Sequence, residues 1–319
     1  MMNSASNHGL GVEGSSAPDV DHLAVAVTFF FREDRLTYLE QIGQHFPHLA
    51  RNVSVWVLTN TPDSRHHERI RAALPLGNIE VVAPSHIGHP YLLPWFHRDV
   101  FRSLYESRED ISHFLYVEDD LEITAESVRY WLYARNVLKP YGLIPSFLRV
   151  EYDSEHVAYS SDVYRKTHIR NLPRLVDSSG YWVNIRYPYQ GCYLMDRALM
   201  EEFLGSPSQS PDFGTWPIRE KASQGVIYSN VPEGCLSRAF IRTDREGNIP
   251  AAAQIHHLPN NYVEQEGNKY GSVRVDELIS TGSGYVPTWL GELRKLVTLR
   301  VPKRRKLMVM ALEPSEPLE

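Results

Sequence analysis

The residues best suited to chemistry are three consecutive acids. The apolar run Phe114-Leu115-Tyr116-Val117 leads directly into Glu118, Asp119 and Asp120. A short apolar, aromatic run reads as a buried strand. Carboxylates stacked at the end of such a strand lose hydration and repel one another. A divalent cation relieves that cost. Carboxylate oxygens suit Mg2+ or Mn2+, and both ions also bridge phosphate oxygens. The spacing Glu118-x-Asp120 puts two side chains on one side of an extended chain. The non-chemical alternative is a solvated acidic loop or the first turn of a helix, where acids are favoured by the dipole.

Other groups could join this cluster. His256 and His257 follow the apolar run Ala251–Ile255, and alternation along a strand lets only one of them face a given site. Arg32, Glu33 and Arg35 follow the first apolar run, and Trp95, His97 and Arg98 sit near a helix start, where basic groups suit a diphosphate. Glu220 lies just after Pro217, in a helix-like Arg-Glu-Lys run. Glu151, Asp153 and Asp177 are further acids expected near the same edge. Asn260, Asn261 and Tyr262 are read as turn residues.

These groups need a scaffold that gathers strand ends. His22–Phe31 is a continuous apolar run, as expected of a strand covered on both faces. Helical spacing follows at Leu36, Leu39, Ile42 and Phe46. Further strands are expected over residues 53–60, 79–84, 112–120 and 145–150. Helices are expected over 67–74, from Pro94 to Arg108, and from Glu126 to Leu138 with Thr124 as cap. This alternation predicts an α/β fold with a mainly parallel sheet flanked by helices. Ligands of such sheets bind at the carboxyl ends of the strands. The second half differs. Residues 181–195 are aromatic and strand-like, Arg197–Leu204 is helical, and 225–235 and 251–258 read as strands or loop-strand units.

Composition narrows the function. The 319 residues carry 33 Lys plus Arg against 39 Asp plus Glu, a net charge of −6, which argues against a nucleic-acid partner. There is no run of about 18 apolar residues and no basic-then-apolar leader, so a cytoplasmic location is expected. Two cysteines, Cys192 and Cys235, exclude a disulfide scaffold and a cysteine-rich zinc site. Residues 1–20 read as a disordered tail. Their Gly9-x-Gly11-x-x-Gly14 lacks the strand and helix that a dinucleotide fingerprint needs. Residues 21–285 read as a single domain, in which a regular α/β half to about 150 gives way to a more aromatic half from 151. Residues 286–319 read as a C-terminal helix and a basic, then acidic, tail. Its Lys303-Arg304-Arg305-Lys306 could make weak peripheral contact with an anionic membrane.

The strand order and the Glu-Asp-Asp motif resemble nucleotide-sugar glycosyltransferases of the GT-A fold, over about residues 22–262. In that family an acidic motif holds a metal on the donor diphosphate. Glu118 stands where many members carry Asp, so which acid binds metal and which meets ribose stays open. The resemblance implies a Rossmann-like, GT-A-like sheet in a single catalytic domain over 21–285, with a nucleotide-binding half to about 150 and an acceptor half from 151. It also implies Mn2+ or Mg2+ on Asp120 and Glu118, with His256 or His257 completing the set. Asp119, Arg98, Arg32 and Arg35 would contact the nucleotide. Gln190 and Gly191 would let the donor sugar approach the backbone, and Glu220 would be the catalytic base. The implied activity is hexosyl transfer from a nucleoside-diphosphate sugar, with UDP favoured, to a glycan, lipid or small molecule. The alternatives are a metal-dependent nucleotidyltransferase or phosphohydrolase, and a non-catalytic carbohydrate-binding protein. The first of these would be expected to carry a Gly-rich loop after the first strand, where Phe29-Phe30-Phe31-Arg32 stands instead.

Overall fold

The computed structural model describes residues 17–186, 189–263, 265–282 and 307–312. In chain order the strands of the first half are β1 His22–Phe29, β2 Asn52–Thr59, β3 Ile79–Val82, β4 His113–Glu118, β5 Leu121–Glu122, β6 Ile144–Pro145 and β7 Leu148–Tyr152. They continue with β8 Ala158–Ser160, β9 Thr167–His168, β10 Arg174–Val176, β11 Gly180–Val183 and β12 Cys192–Asp196. The last are β13 Ala239–Asp244, β14 Gln254–His257, β15 Val273–Arg274, β16 Ile279–Ser280 and β17 Val309–Ala311. The helices are α1 Leu36–Gly43, α2 Ser64–Ala72, α3 His97–Ser107, α4 Ala125–Leu138, α5 Arg197–Gly205 and α6 Ile218–Lys221.

The central sheet runs β12-β4-β1-β2-β3. β1 pairs in parallel with both β2 and β4, and β2 with β3. β12 closes the sheet antiparallel to β4. Every residue of β1 is buried, which explains its continuous apolar pattern. α1 buries Leu36, Leu39 and Ile42, and α3 buries His97, Phe101 and Leu104 at i, i+4 and i+7. α4 starts with a capping box between Thr124 and Ser127. The molecule is therefore mixed α/β, with a mainly parallel central sheet. Two further sheets are mixed, β17-β10-β11-β13-β6 and β15-β8-β7-β14-β5.

Several elements differ from their expected form. The strand expected over 145–150 is two strands. Ile144–Pro145 pairs with β13 and Leu148–Tyr152 with β14, so the chain changes sheets at Ser146 and Phe147. The helix expected from Pro94 begins as a 3-10 turn over Pro90–Phe96, with two prolines inside it, and becomes α-helical at His97. Residues 181–195 contain two strands in different sheets. Residues 225–235 form turns, because Gly225, Asn230 and Gly234 hold positive φ and Pro232 lacks an N–H. Val226 and Ile227 are buried there without a strand partner. Val20 is buried, so the packed chain begins inside the expected tail. In the C-terminal segment Val309–Ala311 is a strand on β10. The expected helix and the basic stretch 303–306 lie outside the described residues.

Candidate functional site

The strand order gives β1 neighbours on both sides: α1 returns the chain to β2, and α3 returns it to β4. At such a switch point the loops after β1 and β4 diverge and leave a crevice at the carboxyl ends of the strands. The loop after β1 supplies Arg35. The end of β4 supplies Glu118, Asp119 and Asp120, all three buried.

Arg35 holds the acid cluster together. Its guanidinium donates from Nε to Asp119 Oδ2 at 2.8 Å and from Nη2 to Asp119 Oδ1 at 2.7 Å. The same Nη2 donates to Asp120 Oδ2 at 2.8 Å. Burial works against each charge here. It pushes the Glu118 and Asp119 carboxyls up. At Asp120 burial pushes the same way, but His257 and Arg35 outweigh it and hold that carboxyl below its usual range. Arg35 is held above its ordinary value: burial opposes its charge, and Asp119 and Asp120 outweigh burial. The bidentate geometry is that of an ion pair; the pull of Arg35 opposes burial at Asp119 without outweighing it. Asp120 Oδ1 is buried and has no hydrogen-bond partner among the described residues.

β5 and β14 bring a histidine to this oxygen pair. β14 pairs antiparallel with β5, setting His257 opposite Leu121 and His256 opposite Glu122. Leu258 N donates to Asp120 O at 2.9 Å, fixing the turn. His257 is buried, with Nε2 3.7 Å from Asp120 Oδ2. Its Nδ1 lies 2.6 Å from Glu151 Oε1. Glu151 is fully buried on β7, the parallel neighbour of β14, and its Oε2 accepts from Tyr262 N at 2.7 Å and Val263 N at 2.9 Å. Burial raises the Glu151 carboxyl, but His257 and these amides outweigh it and hold it low. An ionised Glu151 makes Nδ1 a donor and leaves Nε2 facing Asp120.

Glu118 points elsewhere. Tyr189 donates to its Oε1 at 2.6 Å, and Arg219 Nη2 lies 3.7 Å from its Oε2. Gly191, at φ +66, accepts from Glu118 N at 3.0 Å. A Cβ at Gly191 would lie 2.5 Å from Leu121 Cδ1 and 3.0 Å from Glu118 Oε2. Gln190 is buried, and its Oε1 accepts from Phe147 N at 2.6 Å, bracing the crossing between sheets.

Two cavities meet at this cluster. The larger, about 860 Å3, is lined by Tyr164, Tyr189, Trp216, Tyr262 and Tyr270 with Arg149, Asp162 and Glu220. The smaller, about 340 Å3, is lined by Thr28, Phe30, Arg32, Tyr91, Glu118 and Asp119, among others. Arg35, Asp120 and Arg219 line both. Phe30 and Tyr91 are exposed rings at the smaller one. Within the larger, Tyr189 stacks on Trp216 at 6.4 Å and His257 on Tyr262 at 5.6 Å. Glu220 Oε2 is buried and has no hydrogen-bond partner among the described residues.

The sequence reading passed over this wall. Arg149 is buried on β7, binds Asp162 through Nε at 2.9 Å and Nη2 at 2.7 Å, and lies 4.9 Å over the Tyr189 ring. An arginine inside the buried strand Leu148–Tyr152 was the available signal, since a buried guanidinium needs a fixed partner.

Other expected residues lie off the cavities, except Arg32, which stands at the rim of the smaller one. His256 faces outward on β14, between Glu122 at 3.3 Å and Asn260 at 3.1 Å. Arg98 donates to Trp95 O at 2.8 Å and covers the Trp95 ring. His97 is a core residue among Phe101, Tyr116 and Tyr193, and burial pushes it down to about 3. Arg32 pairs with Asp34 at the rim. Asp153 caps a turn through Glu155 N and Val157 N, and Asp177 binds Arg242.

Among the described residues no three His, Cys, Asp or Glu side chains are grouped to hold a metal ion, and no helix is long and apolar enough to cross a membrane. No protein-family model matches the chain, and no curated protein matches it.

Proposed function

We propose that this chain is a metal-dependent glycosyltransferase of GT-A type that uses a nucleoside-diphosphate sugar, with UDP the favoured base. One observation carries the reading: Asp120, which lines both cavities, has a buried, unpartnered Oδ1, and the braced Nε2 of His257 lies 3.7 Å from its other oxygen. Two protein ligands are enough for Mg2+ or Mn2+ when phosphate oxygens and water complete the shell. The fit rests on a carboxylate oxygen without a donor and on an imidazole whose other nitrogen is fixed by Glu151. The parallel sheet with acids ending β4 is the arrangement expected of this fold. Asp120 and His257 would hold the metal, and Glu118 would face the nucleotide side. When bound, the ion would neutralise charge developing on the leaving diphosphate.

The residues of the chain divide the remaining work. The smaller cavity offers the Phe30 and Tyr91 rings to a base, and its volume suits a nucleoside. Arg35 and Arg219 stand between the cavities, where a diphosphate would lie. The larger cavity offers aromatic faces to apolar sugar faces. Glu220 would take the proton of the acceptor hydroxyl as that oxygen bonds to the anomeric carbon and the bond to the diphosphate oxygen breaks.

The test is a thermal-shift and calorimetry panel of UDP, GDP, dTDP and CMP, each with and without Mn2+. A ligand bound only by the folded state raises the melting temperature by mass action. The expected result is stabilisation by one nucleotide only when Mn2+ is present, abolished by Asp120→Ala. No shift by any nucleotide under any metal condition would overturn the transferase reading.

A further inference from the structure

Arg35 spans two carboxylates with one nitrogen. Nη2 reaches Asp119 Oδ1 at 2.7 Å and Asp120 Oδ2 at 2.8 Å, while Nε secures the other Asp119 oxygen. The two contacts differ in kind. The Asp119 pair is bidentate, and the Asp120 contact is a single hydrogen bond from a nitrogen already engaged. Asp120 can therefore lose the guanidinium while Asp119 keeps it. Arg35 is also partly open to both cavities, so it has somewhere to go.

We propose that Arg35 is a resident counter-ion for the acid cluster, one that a divalent cation and a diphosphate must displace from Asp120 together. This rests on the transferase reading above. The guanidinium supplies positive charge beside Asp120, which stabilises the buried acids before ligands arrive and weakens their hold on a bare cation. A diphosphate changes both sides of that competition. Its oxygens accept hydrogen bonds from Arg35, drawing it off Asp120, and they add ligands for the cation. Metal and nucleotide then bind with positive coupling, and each strengthens the other by the same factor. Arg35 is in this sense a positioning residue whose presence makes metal uptake conditional on the donor.

The experiment titrates Mn2+ calorimetrically into the whole chain, without nucleotide and then at saturating UDP. It compares wild type, Arg35→Gln and Arg35→Lys. Wild type is expected to bind Mn2+ weakly alone and on the order of tenfold more tightly with UDP, within the usual range of site coupling. Arg35→Gln removes the competitor and is expected to bind Mn2+ more tightly without UDP and to lose most of the coupling. Arg35→Lys keeps the charge but cannot hold Asp119 in bidentate fashion while reaching Asp120. It is expected to fall between the two, and it stands in if the Gln variant does not fold. Melting temperatures give a second readout: Mn2+ alone should stabilise Arg35→Gln but not wild type. Equal Mn2+ affinity and equal coupling in all folded variants would overturn the role of Arg35 while leaving the transferase reading intact. Absence of Mn2+ binding to wild type even with UDP would remove the transferase reading, and this inference with it.

Discussion

Replacing Glu151 by Gln separates the brace from the imidazole it braces. The substitution keeps size and shape. One carboxamide oxygen can still accept from Tyr262 N and Val263 N, now bound at 2.7 and 2.9 Å. The amide nitrogen must then face His257 Nδ1, where a carboxylate oxygen sits at 2.6 Å. A donor facing Nδ1 forces the proton to Nε2, so the hydrogen rather than the lone pair points at Asp120. Three charge-assisted hydrogen bonds become neutral, at about 0.5–1 kcal/mol each, for a total of ~1.5–3 kcal/mol. At about 2–4 °C per kcal/mol, the melting temperature falls by several degrees without loss of fold. Metal affinity falls by a comparable amount, because a misoriented outer-shell partner costs roughly 10- to 100-fold, about 1.4–2.7 kcal/mol.

The assay is Mn2+ titration at saturating UDP, with long-range 1H–15N NMR on His257 to report which nitrogen carries the proton. If Nε2 is protonated in the variant and Mn2+ still binds as in wild type, His257 is no ligand and the reasoning fails. The pH dependence gives an independent check. The Glu151 carboxyl is held below 4.5, so its contribution is complete above that value and is lost as pH falls through the depressed folded-state value. The stability gap between wild type and Glu151→Gln should therefore close below about pH 4.5 and stay constant above it.

Two further substitutions probe the surroundings. Gly191→Ala adds a methyl 2.5 Å from Leu121 Cδ1 at φ +66. Left-handed strain and overpacking together should cost about 2–4 kcal/mol, read as a lower melting temperature, and an unchanged melt would refute the packing argument. Glu220→Gln should lower kcat by roughly 10^2- to 10^4-fold, while UDP and Mn2+ affinity stay at wild-type values. Retained turnover in that variant would assign the proton to another group.

The acid cluster was legible in the sequence because its signal is local: four apolar residues run straight into three acids. The central sheet was legible for the same reason, since β1 through β4 each carry their own apolar run. What partners the acids was not legible. Arg35 meets Asp119 across 84 positions and His257 meets Glu151 across 106. Strand alternation showed that only one of His256 and His257 could serve, but the register of β14 against β5 and β7 makes the choice. Gly225–Cys235 misled because apolarity signals burial, whereas a strand also needs a neighbour and a backbone free of left-handed turns. Glu151 was visible as an acid near a strand end, and its role appeared only once β14 lay beside it.

The shortest helix has a consequence for the order of events. α6 has four residues, too few to hold itself together. Its place is borrowed from Trp95, whose indole Nε1 donates to Ile218 O at 2.8 Å. Trp95 belongs to the Pro90–Phe96 turn that walls the smaller cavity, and Ile218 directly precedes Arg219 and Glu220. One indole thus yokes the floor of one chamber to the acid of the other. An occupant that shifted that turn would pull, through this one hydrogen bond, on the residue just before Arg219 and Glu220.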